Sequence, residues 1–432
     1  MKVFFKNIKA YIKEHKLNSA IIVLVILSAI IQIIEIHFLN IEQTSDFKLY
    51  VDYARKVINT GIIYPGHSEV YSNWIIAPGY VNFLALLLLI FKNNLRHVMY
   101  LNVVMNFILL FEVYFLASKV GNKKIGKISV ILFCIYMTNY AEILFTGTEL
   151  IFVVLAYGAL CLFFKDKYKY YLISGAMLGI ANWARALMLP FIAVMVLLFI
   201  FERKNYKRLI TFFLGIAIAC SIIGGAVYKD FGYFSFQSIT TGPNLLMGAN
   251  DNARGDFNDD VLQPGGIGYS ARDNHKLTVK QRNKFWTDEA VDWIEKHPFK
   301  YIGLMPAKLY YMYKEDYSIV YKLSTNDFSF IYRAMFKNAR LYEFFMRVFG
   351  VFTHQLNFLY YVFLMILSIV GTILALIKKE YKFLIFSGII FFITGFTILL
   401  VGHDRYHYPC MYAVIILAAY SIKHLCKKGE LE

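Results

Sequence analysis

Apolar runs of about 16 to 22 residues recur along the chain, and short links rich in Lys and Arg separate them. A helix of about 20 apolar residues crosses the hydrocarbon core of a bilayer, so this pattern predicts an all-α polytopic membrane protein. The composition agrees, because hydrophobic residues make up 58% of the chain and charged residues only 17%, which excludes a soluble globular domain. We expect about ten membrane-spanning helices, at residues 19–40, 97–117, 127–145, 149–164, 170–184, 187–202, 209–228, 356–377, 383–401 and 408–424.

One further apolar run, residues 80–91, has the sequence YVNFLALLLLIF and is too short to cross about 30 Å of hydrocarbon. If it stays on the outer face, 22 of the 45 Lys and Arg residues fall in cytoplasmic segments, at residues 1–18, 118–128, 165–169, 203–208, 378–382 and 423–432. A crossing at 80–91 would move later basic links to the outside, against the positive-inside rule. The run is therefore predicted to be a juxtamembrane or re-entrant helix on the outer face, with both chain termini inside.

The predicted topology divides the chain into three parts. Residues 1–228 form an N-terminal transmembrane module whose first outer loop is 41–95. Residues 229–355 form a large outer loop, and residues 356–432 hold the last transmembrane helices and a basic cytoplasmic tail.

The large outer loop is nearly neutral, with 16 basic and 14 acidic residues, and it is too long for a bare connector. We expect it to contain helices that lie at the membrane surface. One is predicted to be capped by Thr287 and to end before His297, and an apolar, Tyr-rich interfacial helix is predicted at 298–314.

The first outer loop contains an acidic, aromatic helix. Ser45 is suited to cap its N-terminus, and Asp46 follows in the first turn, where a carboxylate favours the positive end of the helix dipole. Tyr50 and Tyr53 come four and seven residues after Asp46, so the three side chains share one helical face. Gly61 is predicted to end this helix, since glycine readily adopts the left-handed conformation found there.

Other ionisable side chains lie near the predicted outer ends of the spans. Glu149 opens the fourth span, Arg185 lies in the turn between the fifth and sixth spans, and Arg405 belongs to the turn HDRYHYP before the last span. Because a charge near the bilayer is costly, each is a functional candidate, and the topology places all three on the face of the first outer loop. Glu35 and Glu112 lie within spans, where a helix-pairing role and a functional role are both open.

Several classes of chemistry lack their sequence motifs. The net charge of +16 comes with no RNA- or DNA-binding motif, so nucleic acid is not a predicted partner. The five cysteines form no Cys/His spacing typical of zinc sites, and no phosphate-binding Gly-rich loop or Ser/His/Asp triad is present. No cofactor is predicted, and a divalent metal has no cluster of ligand residues to support it.

The candidate residues suit a transfer reaction on an anionic, lipid-linked substrate. The planar guanidinium of Arg matches phosphate oxygens, and a carboxylate can take the proton of an incoming hydroxyl group. Apolar grooves between helices would hold a polyprenyl tail. By composition alone, a transporter fits nearly as well.

The order of several motifs resembles a known family. TSDFKLYVDYARKVINTGIIY followed by APGYVNFLALL resembles the start of polytopic bacterial glycosyltransferases of the dolichyl-phosphate-mannose protein mannosyltransferase and lipid A aminoarabinose transferase superfamily, which have the GT-C fold. In the same order, FTGTELIF resembles the family's TE-containing start of a span, LGIANWARALMLP its W-x-R turn, TTGPNLLMGAN its outer N-L-x-x-G-N-like loop and HDRYHYP its R-Y-x-x-P turn. The resemblance covers residues 40 to 424.

The resemblance implies a GT-C-like bundle with outer juxtamembrane helices and an integral-membrane glycosyltransferase. Such an enzyme transfers a sugar, with inversion, from a polyprenyl-phosphate-linked donor to a glycan, lipid or protein acceptor of the cell envelope. Its active site would face the periplasm or exterior of a bacterial cytoplasmic membrane.

The family's catalytic base maps onto Asp46, with Asp52 as the second choice on the same helix. The resemblance implies that Arg185 and Arg405 bind the donor phosphate or sugar. The other substrate-binding candidates are Glu149, Asn244, Tyr50 and Tyr53. Many family members have an acidic pair at the catalytic position, whereas Asp46 is followed by Phe47 here, so a two-carboxylate mechanism is not carried over.

Two other functions remain open as interpretations of the sequence. A flippase or transporter of a lipid-linked sugar would place its polar groups near the middle of the bilayer, often in repeated halves, whereas the candidates here lie at span ends and no internal repeat is visible. A noncatalytic envelope scaffold would not require the outer-face Asp and Arg residues to converge.

Overall fold

The computed structural model describes residues 16–39, 41–65, 75–202, 205–232, 234–274, 276–320 and 339–426. Within these ranges the chain is helical, apart from turns and two isolated β-bridges that join Ile75 to Ile239 and Asp256 to Gly402. The predicted all-α fold class is confirmed. The helices are α1 (Lys16–Phe38), α2 (Ser45–Thr60), α3 (Pro78–Ile90), α4 (Leu95–Val120), α5 (Lys123–Ile135), α6 (Thr138–Glu142), α7 (Glu149–Phe163), α8 (Tyr168–Ala184), α9 (Met188–Phe201), α10 (Tyr206–Phe231), α11 (Thr241–Gly248), α12 (Tyr269–Asp273), α13 (Val279–Lys296), α14 (Pro298–Tyr313), α15 (Ala339–Ile377), α16 (Leu384–Ile398) and α17 (Met411–Leu425).

Long apolar helices identify a membrane protein. In the described ranges, six segments are long and apolar enough to cross a bilayer: Asn18–Phe38, Leu95–Val120, Tyr206–Lys229, Val351–Ile377, Tyr381–Ile398 and Asp404–Leu425. The apolar helices α3, α7 and α9 are shorter. The ten-span topology therefore stays a prediction.

The predicted span 127–145 is wrong in extent, because α5 ends at Ile135. Side-chain hydrogen bonds pull the following residues away from a continuous helix. The hydroxyl of Tyr136 donates to Asp316 at 2.8 Å, and the hydroxyl of Thr138 donates to the same carboxylate at 2.6 Å. The chain then forms the short helix α6 and a buried turn that leads into α7.

Helix α17 is the centre of the bundle. Its residues from Met411 to Ser421 are fully buried, and it packs against α5, α15 and α16. Helix α1 instead lies at the periphery and is joined to α4 by a hydrogen bond from the Asn106 amide to Gln32 Oε1 at 3.2 Å. Polar side chains commonly link helices in this way inside membranes. Because α17 is fixed on all sides, the turn that precedes it is also held in place.

Helices α8 and α10 approach each other at backbone distance. A Cβ atom on Gly175 would stand 2.0 Å from the carbonyl oxygen of Phe212, and one on Gly215 would stand 2.1 Å from that of Leu172. Only glycine permits this contact, which is a common basis of helix packing in membranes. The contact fixes α8, whose C-terminal end is followed by Arg185.

Helices α2 and α3 pack side by side and run in the same direction. Near their N-terminal ends, the rings of Tyr50 and Tyr80 lie 5.4 Å apart. Near their C-terminal ends, Arg55 Nε donates to the side-chain oxygen of Asn93 at 3.1 Å. The 13 residues of α3 span about 20 Å, less than the hydrocarbon thickness, which agrees with a helix that does not cross.

Part of the segment predicted to be the large outer loop packs in a small core around Trp286, which is fully buried and donates its indole N–H to Gly268 O at 2.9 Å; Val401 also belongs to this core. The predicted helix start at Thr287 is wrong, because α13 begins at Val279. Thr278 and Gln281 form a capping box there. The Thr287 hydroxyl bonds within the helix instead, while the predicted end before His297 is correct.

Helix α14 covers the segment predicted to be interfacial. Its residues Phe299, Ile302 and Tyr310 expose apolar side chains. The helix is anchored to the C-terminal part of α16 and the residue that follows it, since the Tyr301 hydroxyl donates to Leu399 O and the Tyr313 hydroxyl bonds to Thr394, both at 2.6 Å. This amphipathic arrangement fits a helix lying at a membrane surface.

Single cysteines test the topology. In a variant without the native thiols, a cysteine at Lys284, which is exposed on α13, is expected to react with a membrane-impermeant reagent in intact cells. One at Asn122, in the basic link between α4 and α5, is expected to react only after permeabilisation, because basic links stay inside. Labelling of residue 122 in intact cells would contradict the predicted topology.

Candidate active site

Asp46 lies in the first turn of α2, as predicted. The helix is preceded by Thr44 as its N-cap rather than by Ser45, and it ends at Gly61, which adopts the predicted left-handed conformation with φ 68°. The Asp46 side chain is 42% exposed, so its carboxylate is accessible from outside the protein.

Arg405 joins Asp46 to a second carboxylate. It belongs to the 3-10 turn Asp404–Cys410, which leads directly into the buried helix α17. Its Nη1 donates to Asp46 Oδ2 at 2.7 Å, and its Nη2 donates to Glu149 Oε2 at 3.1 Å. Its Nε donates to the other oxygen of Glu149, so the guanidinium binds this carboxylate with two parallel bonds.

Arg185 completes the cluster. It follows α8, and its Nη1 donates to the Thr148 hydroxyl at 3.0 Å and to Glu149. Glu149, the first residue of α7, is fully buried and is therefore held between two guanidinium groups. Four elements far apart in sequence thus supply one network, which we call the site cluster and define as Asp46, Glu149, Arg185 and Arg405.

The charges of the site cluster balance. The Glu149 carboxylate is bonded to the guanidinium groups of Arg405 and Arg185, and these two cations stabilise its ionised form despite its burial. Two carboxylates therefore face two guanidinium groups. Asp46 is the most exposed member, since the side chains of the two arginines are 14% and 11% exposed, so a substrate would meet Asp46 first.

Contacts with the large outer loop fix the turn that carries Arg405. The backbone N–H of Ser318 donates to Asp404 Oδ2 at 2.8 Å, and the His407 ring bonds to Met312 O at 2.6 Å. The buried carboxylate of Asp316, which binds Tyr136 and Thr138, also accepts a hydrogen bond from Asn357 at 3.0 Å. Residues 312–318 are therefore part of the framework of the site.

The other predicted site residues are Tyr50, Tyr53 and Asn244, which do not belong to the site cluster. Tyr50 is buried one turn after Asp46, and burial raises its pKa, so it remains a neutral phenol. The Tyr53 ring stacks on Tyr64 at 5.3 Å, within the packing of α2. Asn244 lies in α11, which packs on α13, and it makes no side-chain hydrogen bond to the cluster within the described ranges.

Glu142 was not among the predicted site residues, yet it lies beside Glu149. Its side chain is 1% exposed. A Cβ atom on Gly147 would stand 2.8 Å from Glu149 Oε2 and 3.0 Å from Glu142 Oε1, so both carboxyl groups border the same small space. In the sequence, the only signal was an acidic residue in an otherwise uncharged outer segment.

Metal ligands do not gather at the site. Among the described residues, no group of three or more His, Cys, Asp or Glu side chains is placed to hold a metal ion.

No protein-family model and no curated protein sequence matches this chain. The solved structures that are similar to it include two of an archaeal oligosaccharyltransferase. One is the oligosaccharyltransferase AglB from Archaeoglobus fulgidus in complex with an inhibitory peptide and a dolichol-phosphate, with a TM-score of 0.50 and 11% identity over 96% of this chain and 51% of that chain. The other is the Archaeoglobus fulgidus oligosaccharyltransferase tethered to an acceptor peptide, with a TM-score of 0.42 and 11% identity over 96% of this chain and 50% of that chain. This chain thus spans about half the length of either neighbour, and its all-helical membrane fold resembles the GT-C fold of AglB.

Proposed function

We propose that this protein is an integral-membrane glycosyltransferase that moves a sugar from a polyprenyl-phosphate-linked donor to an acceptor hydroxyl at the outer face of the membrane. The observation that carries the proposal is the site cluster, in which an accessible carboxylate, Asp46, is bonded to a largely buried guanidinium, Arg405. The site cluster thus contains a base that can take the proton of the acceptor and a cation that can bind the phosphate of the donor.

In the proposed reaction, Asp46 accepts the proton of the acceptor hydroxyl. The hydroxyl oxygen then forms a bond to the anomeric carbon of the sugar on the face opposite the phosphate. The bond between that carbon and the phosphate oxygen breaks, and the electron pair leaves with the phosphate. The product has the inverted configuration, and Asp46 carries the proton that the acceptor lost.

The growing charge on the leaving phosphate requires a nearby cation. Arg405 is suited to this role because Glu149 holds it by two bonds while its Nη1 reaches the exposed edge of the cluster at Asp46. A guanidinium that is oriented before the reaction needs little reorganisation in the transition state. Arg185 keeps Glu149 between two cations and supports the same orientation.

The remaining assignments belong to the same proposal. Tyr50, Tyr53, Glu149 and Asn244 contribute to substrate binding, and the first outer loop, 41–95, supplies the base within an N-terminal module of residues 1–228. The acceptor is a glycan, lipid or protein of the cell envelope, and the site faces the periplasm or exterior of a bacterial cytoplasmic membrane. The AglB structure is compatible with this proposal, since that protein was solved with a dolichol-phosphate.

A flippase or transporter of a lipid-linked sugar is the alternative. Such a protein requires polar groups along a path through the membrane. The charged pairs of the site cluster instead come from the ends of α2, α7 and α8 and from the turn before α17. This location favours a reaction at the surface.

A detergent-solubilised transfer assay separates the two functions. Purified protein is mixed with polyprenyl-phosphate carrying a radiolabelled sugar and with envelope lipids and glycans from the same cells as acceptors. We expect the label to move from the donor to an acceptor fraction. A label that stays on the donor in detergent, but crosses the bilayer of sealed vesicles containing the protein, would support the transporter instead.

A Gly147→Ala variant tests whether the carboxyl geometry matters. The added methyl group would stand 2.8 Å from Glu149 Oε2, so it should displace this carboxylate from Arg405. We expect the transfer rate to fall on the order of 10- to 100-fold, because small misplacements of catalytic groups are costly. Gly303→Ala in α14 is the matched control, since no atom lies within 4 Å of its added Cβ, and it should keep the wild-type rate.

A further inference from the structure

Glu142 is a buried acid that the proposed mechanism does not use. We propose that Glu142 is held as a neutral carboxylic acid beside Glu149, donates its proton in a hydrogen bond to that carboxylate, and so positions Glu149 against Arg405 and Arg185. Glu142 would then be a positioning residue. This inference rests on the proposed function for its effect on catalysis, but the protonation of Glu142 can be measured separately.

The first support is the surroundings of the side chain. Glu142 is 1% exposed, and neither of its carboxyl oxygens accepts a well-formed hydrogen bond from the described residues. Burial is the largest influence on the pKa of Glu142 and raises it, while the two arginines and the Leu150 amide act in the opposite direction. An ionised carboxylate in such a place would lack the partners that buried charges require.

The second support is the charge balance of the site cluster. Glu149 is already bonded to both arginines, and Arg405 is also bonded to Asp46. A negative Glu142 would therefore add a third anion next to two cations that already face two carboxylates. When two carboxyl groups share one buried space, one of them normally keeps its proton.

The third support is proximity. Both carboxyl groups lie within 3.0 Å of the position that a Cβ atom would take on Gly147, and the Phe47 ring borders the same space at 3.2 Å. Burial has the largest effect and raises the pKa of Glu142 well above its ordinary value. The negative charge of Glu149 acts in the same direction. The other charged or titratable groups that act on Glu142 or are acted on by it are Arg405, Arg185, Tyr80, Tyr317, Tyr408 and Tyr412.

The consequence is a limit on activity at alkaline pH. When Glu142 loses its proton, the hydrogen bond to Glu149 is replaced by repulsion between two carboxylates. Glu149 should then shift away from Arg405, which is also the partner of Asp46. The transfer rate of the wild-type protein should therefore decline as pH rises through the raised pKa of Glu142.

Two substitutions at this position test the inference. Gln has the shape of the neutral acid, and its amide can donate to Glu149, whereas Ala leaves Glu149 without a partner on this side. We expect Glu142→Ala to lower kcat at neutral pH by about tenfold or more and Glu142→Gln to restore most of that loss. Glu142→Gln should also remove the decline at alkaline pH, because an amide does not titrate.

Glu112→Gln is the matched control, since Glu112 is a partly buried acid in α4 that lies near Gly158 rather than the site cluster. The pH profile of sugar transfer by Glu112→Gln should be the same as that of the wild type. If Glu142→Gln were as inactive as Glu142→Ala, or if it kept the wild-type decline at alkaline pH, the inference would be overturned.

Infrared spectroscopy tests the protonation state without any transfer reaction. The difference spectrum between the wild type and Glu142→Gln at neutral pH should contain the C=O stretch of a protonated carboxyl group, and this band should shift in D2O. A difference spectrum with only carboxylate bands would refute the neutral acid. If the band is present but the wild type transfers no sugar, the proposed function fails while the state of Glu142 stands.

Thermal unfolding in detergent gives a second independent readout. The folded protein keeps a proton on Glu142 that the unfolded chain loses above the ordinary pKa of 4.5, so the contribution of this group to stability declines as pH rises from there. Glu142→Gln lacks this decline. The variant should therefore gain stability relative to the wild type as pH rises, and an unchanged difference across pH would contradict the inference.

Discussion

Asp46→Asn is expected to lower kcat by about 10²–10⁴-fold, the range typical of a positioned general base. The substitution keeps the size of the side chain and one acceptor oxygen, but the amide cannot take the proton of the acceptor hydroxyl. Arg405 would still be held by Glu149 through two bonds, so the fold and the affinity for the donor should change much less than kcat. The measurement is sugar transfer by the purified variant, with folding checked by gel filtration in detergent.

Asp52→Asn is the control on the same helix. Asp52 bonds to Lys48 at 2.8 Å, and both side chains are well exposed, so this is a surface ion pair of small energetic value. We expect Asp52→Asn to transfer sugar at nearly the wild-type rate. If Asp52→Asn were inactive and Asp46→Asn fully active, the assignment of the base would be wrong. If both were active, the first outer loop would not be the catalytic centre.

Arg405→Lys is expected to reduce kcat/KM by about 10²-fold, although the charge is kept. The guanidinium makes bonds from three nitrogens to Asp46 and Glu149, and a lysine ammonium cannot reproduce this planar arrangement. The loss of two hydrogen bonds to charged groups corresponds to about 3 kcal/mol, which is about two orders of magnitude in rate. Part of the loss should be a higher KM for the donor, because the phosphate also binds here in the proposed reaction.

Arg185→Lys is the matched comparison. Arg185 contacts Glu149 and Thr148 through a single nitrogen, so an ammonium can replace it more closely, and we expect a loss of about tenfold. Equal losses at the two positions would contradict the distinct role given to Arg405. Full activity of both Lys variants would mean that the two arginines serve only the structure.

The candidate residues of the site cluster could be found from the sequence because each follows a local rule. Asp46 lies in the first turn of a helix and Gly61 ends it, while Glu149, Arg185 and Arg405 stand beside long apolar runs. Such signals depend on a few neighbouring residues and on the length of an apolar stretch. The prediction failed where two possible helix starts competed. Thr287 was predicted to cap the helix, but the capping box of Thr278 and Gln281 starts it earlier.

Local sequence rules could not predict what neighbouring side chains on one helix would contact. Asp46 and Tyr53 share a helical face, but that face is wide enough for Asp46 to reach Arg405 while Tyr53 stacks on Tyr64. The span predicted to reach residue 145 stops at Ile135, because Tyr136 bonds to Asp316 in a distant loop. Helical periodicity contains no information about such partners.

The sequence by itself determined that this is an all-helical membrane protein with a polar segment before its second long helix, because hydrophobic length acts locally along the chain. Only the tertiary structure decided that Asp46, Glu149, Arg185 and Arg405 form one charge-balanced network and that Glu142 lies against it. The physical reason is that the burial of a charge and its pairing with a counter-charge depend on which helices meet in space. Residues 46 and 405 are paired only because α2 and the turn before α17 meet at the same place.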